Sequence, residues 1–214
     1  MAKDTVNQRM AAPAGMEHQG KQRKFLRYEW RGGMVSLGAV LAIILVACGG
    51  ALGANTGTGA EASKDPAPDF SIELYQGESR LGAATLDLSD LQGRPIVLNF
   101  WAGLCPPCRA ELPDLQLFYQ DFNDQVTVVG IDLGNFTGLG TQDDAQILLS
   151  ELAITYPNGF TSDDTVVRRY QVLSMPTTVF INSKGEVFKK WNGALNLDIL
   201  TEQTTELLKQ ESGP

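Results

Sequence analysis

The stretch Ile96-Val97-Leu98-Asn99-Phe100-Trp101-Ala102-Gly103-Leu104-Cys105-Pro106-Pro107-Cys108-Arg109-Ala110-Glu111-Leu112-Pro113 sets a Cys-x-x-Cys pair between a continuous apolar run and a helical pattern. A run such as Ile96 to Phe100 suits a central strand buried on both faces. From Cys108 to about Phe122, the positions Leu112, Leu115, Leu117, Phe118 and Phe122 outline an amphipathic helix, in which Pro113 removes one hydrogen bond and should introduce a kink. Where a strand hands over to a helix, the first cysteine's sulfur lies near unpaired backbone N–H groups and the positive helix end, both of which favour the thiolate. The thiolate is the form that attacks disulfides. Two cysteines three apart share one face of a first helical turn and can close a small ring. Such a ring constrains little of the chain, so Cys105 and Cys108 read as a redox dithiol rather than a staple.

Working outward, the chain has 214 residues and a net charge of −8, unevenly spread. Residues 1–33 hold seven Lys/Arg against three Asp/Glu, whereas the remainder holds ten against twenty-two. An acidic body argues against a nucleic-acid partner, which needs clustered cations. The one histidine, His18, lies before the first apolar segment, so no imidazole is available downstream for a triad or a histidine metal site. Metal ligands are accordingly predicted to be absent. Arg109 and Glu111, which flank the dithiol, read as a solvated helix face.

Residues 32–52, GGMVSLGAVLAIILVACGGAL, carry no charge and follow Arg31. That length is marginal for spanning a bilayer, and the basic flank would remain cytoplasmic. Leu45-Val46-Ala47-Cys48 also resembles a bacterial lipobox, which makes Cys48 a candidate lipidation site. Either reading tethers the body to the outer face of a bacterial cytoplasmic membrane. The expected organisation is a disordered cytoplasmic segment over 1–31, an anchor or lipobox segment over 32–52, a flexible linker over 53–68 and a folded domain over 69–214.

Within the body, alternation through Phe70–Leu74 and Ala84–Leu88 predicts two strands joined by a turn at Gln76-Gly77-Glu78. Val126–Ile131 predicts a strand, Asp143–Leu152 a helix, and Tyr156-Pro157 the end of a short extended piece. Ser162 to Asp164 resemble a cap for a helix through Tyr170. Thr177–Ile181 and Glu186–Phe188 form a strand-turn-strand unit, and Asn196 to about Lys209 a final helix. Alternating strands and helices indicate an α/β class.

The runs LNFWAGLCPPCRAELP and YQVLSMPTTVFINSKGEV resemble the thioredoxin superfamily, and within it the membrane-anchored thiol-disulfide oxidoreductases of the TlpA, ResA and CcmG kind. The resemblance implies a thioredoxin-like fold: a central mixed β-sheet flanked by helices, with an N-terminal β-hairpin extension and an inserted strand-helix. It implies that Cys105, exposed, attacks a partner disulfide and Cys108 resolves the adduct. It implies that Pro176 is cis, and that Trp101, Met175, Pro176 and Thr177 contact substrate. It implies no cofactor beyond the redox-active disulfide. Implied partners are protein disulfides, apocytochrome c among them, and a membrane thiol donor of the CcdA or DsbD type. Three positions depart from the usual pattern: Asn99 replaces a buried proton-handling aspartate, Leu104 a tryptophan, and Pro106-Pro107 a Gly-Pro or glutamate-containing pair. A disulfide-forming oxidant and a non-catalytic Cu(I)-binding protein are the competing readings; a peroxidatic cysteine setting is missing.

Overall fold

The protein is described by a computed structural model covering residues 65–213. Ile96–Trp101 (β3) is buried throughout and lies inside a seven-stranded sheet, paired in parallel with Thr127–Asp132 (β4) and antiparallel with Thr177–Ile181 (β6). The other strands are Ser71–Gln76 (β1), Thr85–Asp87 (β2), Asn158–Phe160 (β5) and Val187–Asn192 (β7), in the sheet order β2-β1-β5-β4-β3-β6-β7. Six helices accompany them: Glu78–Leu81 (α1), Pro106–Phe122 (α2), Gly134–Thr137 (α3), Gln142–Glu151 (α4), Thr165–Arg169 (α5) and Leu197–Glu211 (α6).

The period of two along β3 divides its side chains between two cores. Val97 and Trp101 join the core containing Leu112, Leu115 and Phe118 of α2 and Leu200 and Leu207 of α6. Ile96, Leu98 and Phe100 join the opposite core with Phe70, Ile72, Val166, Tyr170 and Val179. By the same period Asn99 faces the α2 side, as does its register partner Thr178 on β6. Burial on both faces is what such a central strand requires, so its backbone is held rigidly where it hands over to the cysteines.

The predicted elements are present, with local corrections. The β1–β2 hairpin is antiparallel, but its connection is the short helix α1 between Gly77 and Gly82, both left-handed at φ 95° and 88°. The strand expected to end at Tyr156-Pro157 instead begins after it, because Pro157 lends its carbonyl to Gly130 N–H (3.0 Å) and β5 then pairs with β4. At the start of α5 the capping side chain is Asp163, which accepts from Thr165 N–H at 2.9 Å. On α2, Leu117 is exposed rather than inward, and the helix continues through Pro113. Residues 65–68, expected to be linker, are hydrogen-bonded to the folded body. Asp65 O accepts from Val187 N–H (2.9 Å), Ala67 N–H donates to Gly185 O (2.9 Å), and Tyr170 Oη donates to Pro68 O (2.7 Å). Residues 65–68 therefore lie along the β7 side, where backbone pairing and the buried Tyr170 hold them. The proposed anchor, the lipobox and Cys48 lie outside the described residues.

Candidate active site

Cys105 and Cys108 are joined by a disulfide with a Cα–Cα distance of 5.2 Å. Cys105 is the N-cap of α2, with Pro106 and Pro107 filling the first two helical positions. The prolines remove two N–H groups that would otherwise be orphans, and their fixed φ suits the first turn. Cys108 N–H is then the donor that reaches Cys105 Sγ, at 3.2 Å. A sulfur in that position receives both this bond and the positive end of a seventeen-residue helix. Contrary to the expectation of an exposed nucleophile, Cys105 is only 2% exposed and Cys108 1%. The dithiol is recessed because the Leu104–Cys105 turn is tied to the loop after α3, with Leu104 N–H donating to Leu139 O at 2.7 Å.

Glu111 is the main correction to the sequence reading. Its side chain is 2% exposed and turns inward on the same face of α2 as Cys108, three residues earlier. Oε1 lies 3.4 Å from both Asn99 Nδ2 and Thr178 Oγ1, and Asn99 Nδ2 also donates to Thr178 Oγ1 at 3.0 Å. Loss of water pushes the Glu111 carboxyl up to about 8; the Leu195 backbone, Thr178 and Asn99 offset this only in part. A buried carboxyl therefore lies on the Cys108 face of α2, supplied by the helix rather than by the strand position that Asn99 occupies. The signal was present in the spacing: positions 108, 111, 112, 115 and 118 form the buried stripe of α2, and Glu111 falls within it. Arg109, by contrast, is exposed as expected and pairs with Glu151 at 2.8 Å.

A second buried acid escaped the sequence reading. Asp132, the last residue of β4, accepts Gly134 N–H at Oδ1 (2.8 Å) and the Tyr75 hydroxyl at Oδ2 (3.1 Å). Burial pushes its carboxyl up to about 6, and burial together with Asp132 pushes the Tyr75 phenol well above its ordinary value. The Asp132 bonds anchor the start of the 134–140 segment that braces Leu104.

The expected substrate contacts divide. The Met175–Pro176 peptide is cis, and Met175 is half-buried against both cores. Thr177 is buried, its hydroxyl donating to Ser174 O at 2.7 Å, so its side chain fastens the loop. Trp101 is likewise fully buried; its indole fills the space left by Gly130, where a Cβ would stand 2.9 Å from Trp101 Nε1 and 2.0 Å from Asn158 Oδ1. Leu104, which precedes the first cysteine, is 60% exposed, and Leu173, which precedes the cis-proline loop, is 83% exposed. Among the described residues no cluster of three His, Cys, Asp or Glu side chains is arranged to hold a metal.

A sequence profile of the AhpC/TSA family matches residues 63–190. The chain belongs to that family. It is 34% identical over 149 residues to the thiol-disulfide oxidoreductase ResA of Oceanobacillus iheyensis, covering 69% of this chain and 74% of the relative. Among solved structures it resembles a putative thiol:disulfide interchange protein DsbE from Chlorobium tepidum, with TM-score 0.57, 27% identity, and 68% and 96% of the two chains covered. It also resembles the exposed lipoprotein thioredoxin Etrx1 of Streptococcus pneumoniae, with TM-score 0.56, 26% identity, and 65% and 100% covered. The fold is thioredoxin-like, and the chain is a thiol-disulfide oxidoreductase of the ResA and DsbE type.

Proposed function

We propose that the chain reduces protein disulfides at the outer face of a bacterial cytoplasmic membrane, with Cys105 as nucleophile and Cys108 as resolving cysteine. The observation that carries this reading is the Cys105–Cys108 disulfide at the start of α2, with the buried Glu111 carboxyl on the same helix face as Cys108. In the reduced protein, Cys105 thiolate attacks a partner disulfide, forms a mixed disulfide and expels one partner thiolate, which takes up a proton. Cys108 then gives its proton to the Glu111 carboxylate and attacks Cys105 Sγ. The bond between Cys105 and the partner breaks, the second partner thiolate leaves and is protonated, and the Cys105–Cys108 disulfide forms. Two electrons pass to the partner, and a carboxyl titrating near the working pH can accept the proton in this direction and return it in the other.

The reaction needs no cofactor beyond the disulfide. The two electrons are restored by a membrane thiol donor of the CcdA or DsbD type, and apocytochrome c before haem attachment is the intended recipient. Likeness to a protein described as an exposed lipoprotein supports an outer-face tether, provided by the apolar segment 32–52 or by lipid on Cys48.

The equilibrium reduction potential separates this from an oxidant. Equilibration of the full chain with glutathione or dithiothreitol buffers is expected to give about −250 mV or lower, a reductant's poise. A value near about −120 mV would make it a disulfide donor, and a pair that never equilibrates would return it to a structural or Cu(I)-binding role.

A further inference from the structure

Asp132 and Tyr75 take no part in the exchange steps, yet they stand at the head of a series of hydrogen bonds that ends beside the dithiol. Asp132, the last residue of β4, lies in register with Trp101, the last of β3, so the segments that follow the two strands leave the sheet side by side. Asp132 Oδ1 accepts Gly134 N–H (2.8 Å), Gly134 O accepts Leu139 N–H (3.1 Å), and Leu139 O accepts the N–H of Leu104 (2.7 Å), the residue before Cys105. The fit is close: a Cβ on Gly134 would stand 2.7 Å from Gly140 O and 3.0 Å from Asp132 Oδ1.

The segment carries little packing of its own. Beyond Gly134 no residue as far as Gly140 is fully buried, Asn135 and Phe136 are exposed, and α3 is a single turn of four residues. Backbone with few buried apolar contacts opens at low cost, so its hydrogen bonds decide how firmly it is held. Asp132 is in turn held from β1, where the Tyr75 hydroxyl donates to Oδ2 at 3.1 Å and the Tyr75 ring stacks on Phe160 of β5 with centroids 5.3 Å apart. The acids facing this pair are Asp143 and Asp144 in the first turn of α4, Asp144 opposing charge on Asp132 and Asp143 opposing charge on Tyr75. Burial and Asp144 raise the Asp132 carboxyl to about 6, and the bonds from Gly134 and Tyr75 restrain the rise.

We propose that Asp132, with Tyr75, is a positioning residue for the dithiol: its carboxylate latches the 134–140 segment onto the Leu104–Cys105 turn, and protonation slackens the latch and opens Cys105 to disulfides on the surface of folded proteins. The proposal rests on the oxidoreductase reading and names a regulation of the same site. Hydrogen bonds to an ionised acceptor are about twice as strong as those to a neutral one. Protonation therefore leaves Gly134 N–H a weaker acceptor and turns one carboxyl oxygen into a donor, so that Tyr75 must reverse its hydroxyl to stay bonded. A small disulfide reaches the recessed sulfur in either state. A disulfide flush with a folded surface needs the turn to yield.

The test uses the reduced full chain and two disulfides of the same chemistry: oxidised glutathione, and glutathione in disulfide linkage to a single exposed cysteine of a folded carrier protein. Closure of the Cys105–Cys108 bond is followed by alkylating the remaining thiols and locating them by mass spectrometry. Ionisation of Cys105 and of Glu111 affects both reactions alike, so the ratio of the two rates isolates access. The wild type is expected to favour oxidised glutathione at least about tenfold at pH 7.5, and that preference to fall about threefold at pH 5 with its midpoint near 6. Asp132→Asn, fixed in a neutral form, should show the lower preference at both pH values. Tyr75→Phe keeps the stacked ring and removes a bond that favours the ionised carboxyl, so its midpoint should move to higher pH, a shift that decides the matter should Asp132→Asn fail to fold. A wild-type ratio independent of pH, a pH dependence that survives in Asp132→Asn, or an unmoved midpoint in Tyr75→Phe would overturn the latch. Failure to exchange with oxidised glutathione at any pH defeats the oxidoreductase assignment itself, whereas exchange at a pH-independent ratio defeats only the latch.

Discussion

Replacing Glu111 with Gln is expected to slow disulfide exchange about 100-fold at pH 7 and to stabilise the protein at alkaline pH. The first effect follows from losing the group proposed to exchange a proton with Cys108, a contribution of about 10²- to 10⁴-fold for a placed acid or base. The amide keeps the shape and still reaches Asn99 and Thr178, so the loss comes from proton handling rather than from collapse of the site. The pH–rate profile of the wild type should bend near 8, and that bend should vanish in Glu111→Gln. The second effect has the opposite sign because the folded carboxyl holds its proton up to about 8, whereas an exposed glutamate loses it near 4.5. Between those values the folded state binds the extra proton, so the Glu111 contribution destabilises increasingly as pH rises from about 4.5 to about 8 and is fully adverse above. Glutamine carries no charge to bury. At pH 9 the variant should gain on the order of 3 kcal/mol, raising Tm by about 10 °C. Thermal unfolding at pH 5 and pH 9 checks this: a gain confined to pH 9 is expected, and equal shifts at both pH values would show that Glu111 is already ionised in the fold.

Cys108→Ser is expected to reduce turnover on protein disulfides by more than about 1,000-fold while accumulating a covalent adduct through Cys105. Serine cannot attack a disulfide, so the mixed disulfide formed in the first step has no internal route to resolution. Intact mass should show the full chain plus one partner, and the adduct should be released by dithiothreitol. The paired variant Cys105→Ser should form no such adduct, which also excludes Cys48 as its source. If Cys105→Ser formed the adduct and Cys108→Ser did not, the roles of the two cysteines would be exchanged.

The order of strands and helices was legible because β3 is a short run with no polar residue except Asn99, and because α2 and α6 carry apolar residues at helical spacing. The dithiol was legible because its placement, between a buried strand and a helix start, follows from local sequence. Glu111 was misread because a charge beside Arg109 resembles a solvated face; only its phase with Cys108, Leu112, Leu115 and Phe118 assigns it to the interior. Trp101 was assigned a substrate contact by resemblance, and no local signal shows that Gly130 in β4 leaves room to bury its indole. Asp132 and Tyr75 lie 57 residues apart and meet only after β1 joins the sheet beside β5. Long-range pairing of that kind leaves no mark on either segment alone. The same holds for Asp65–Pro68, whose composition reads as linker until the β7 side supplies its hydrogen bonds.

The most direct test of the dithiol as the working redox centre counts thiols before and after one reaction. The reduced full chain is mixed with one equivalent of an oxidised, unfolded protein that holds a single cystine. Free thiols on both proteins are then alkylated and located by mass spectrometry. The account predicts that alkylation disappears at Cys105 and Cys108 together while two thiols appear in the partner, with Cys48 unchanged. Retention of both alkylated cysteines beside an unreduced partner would contradict it.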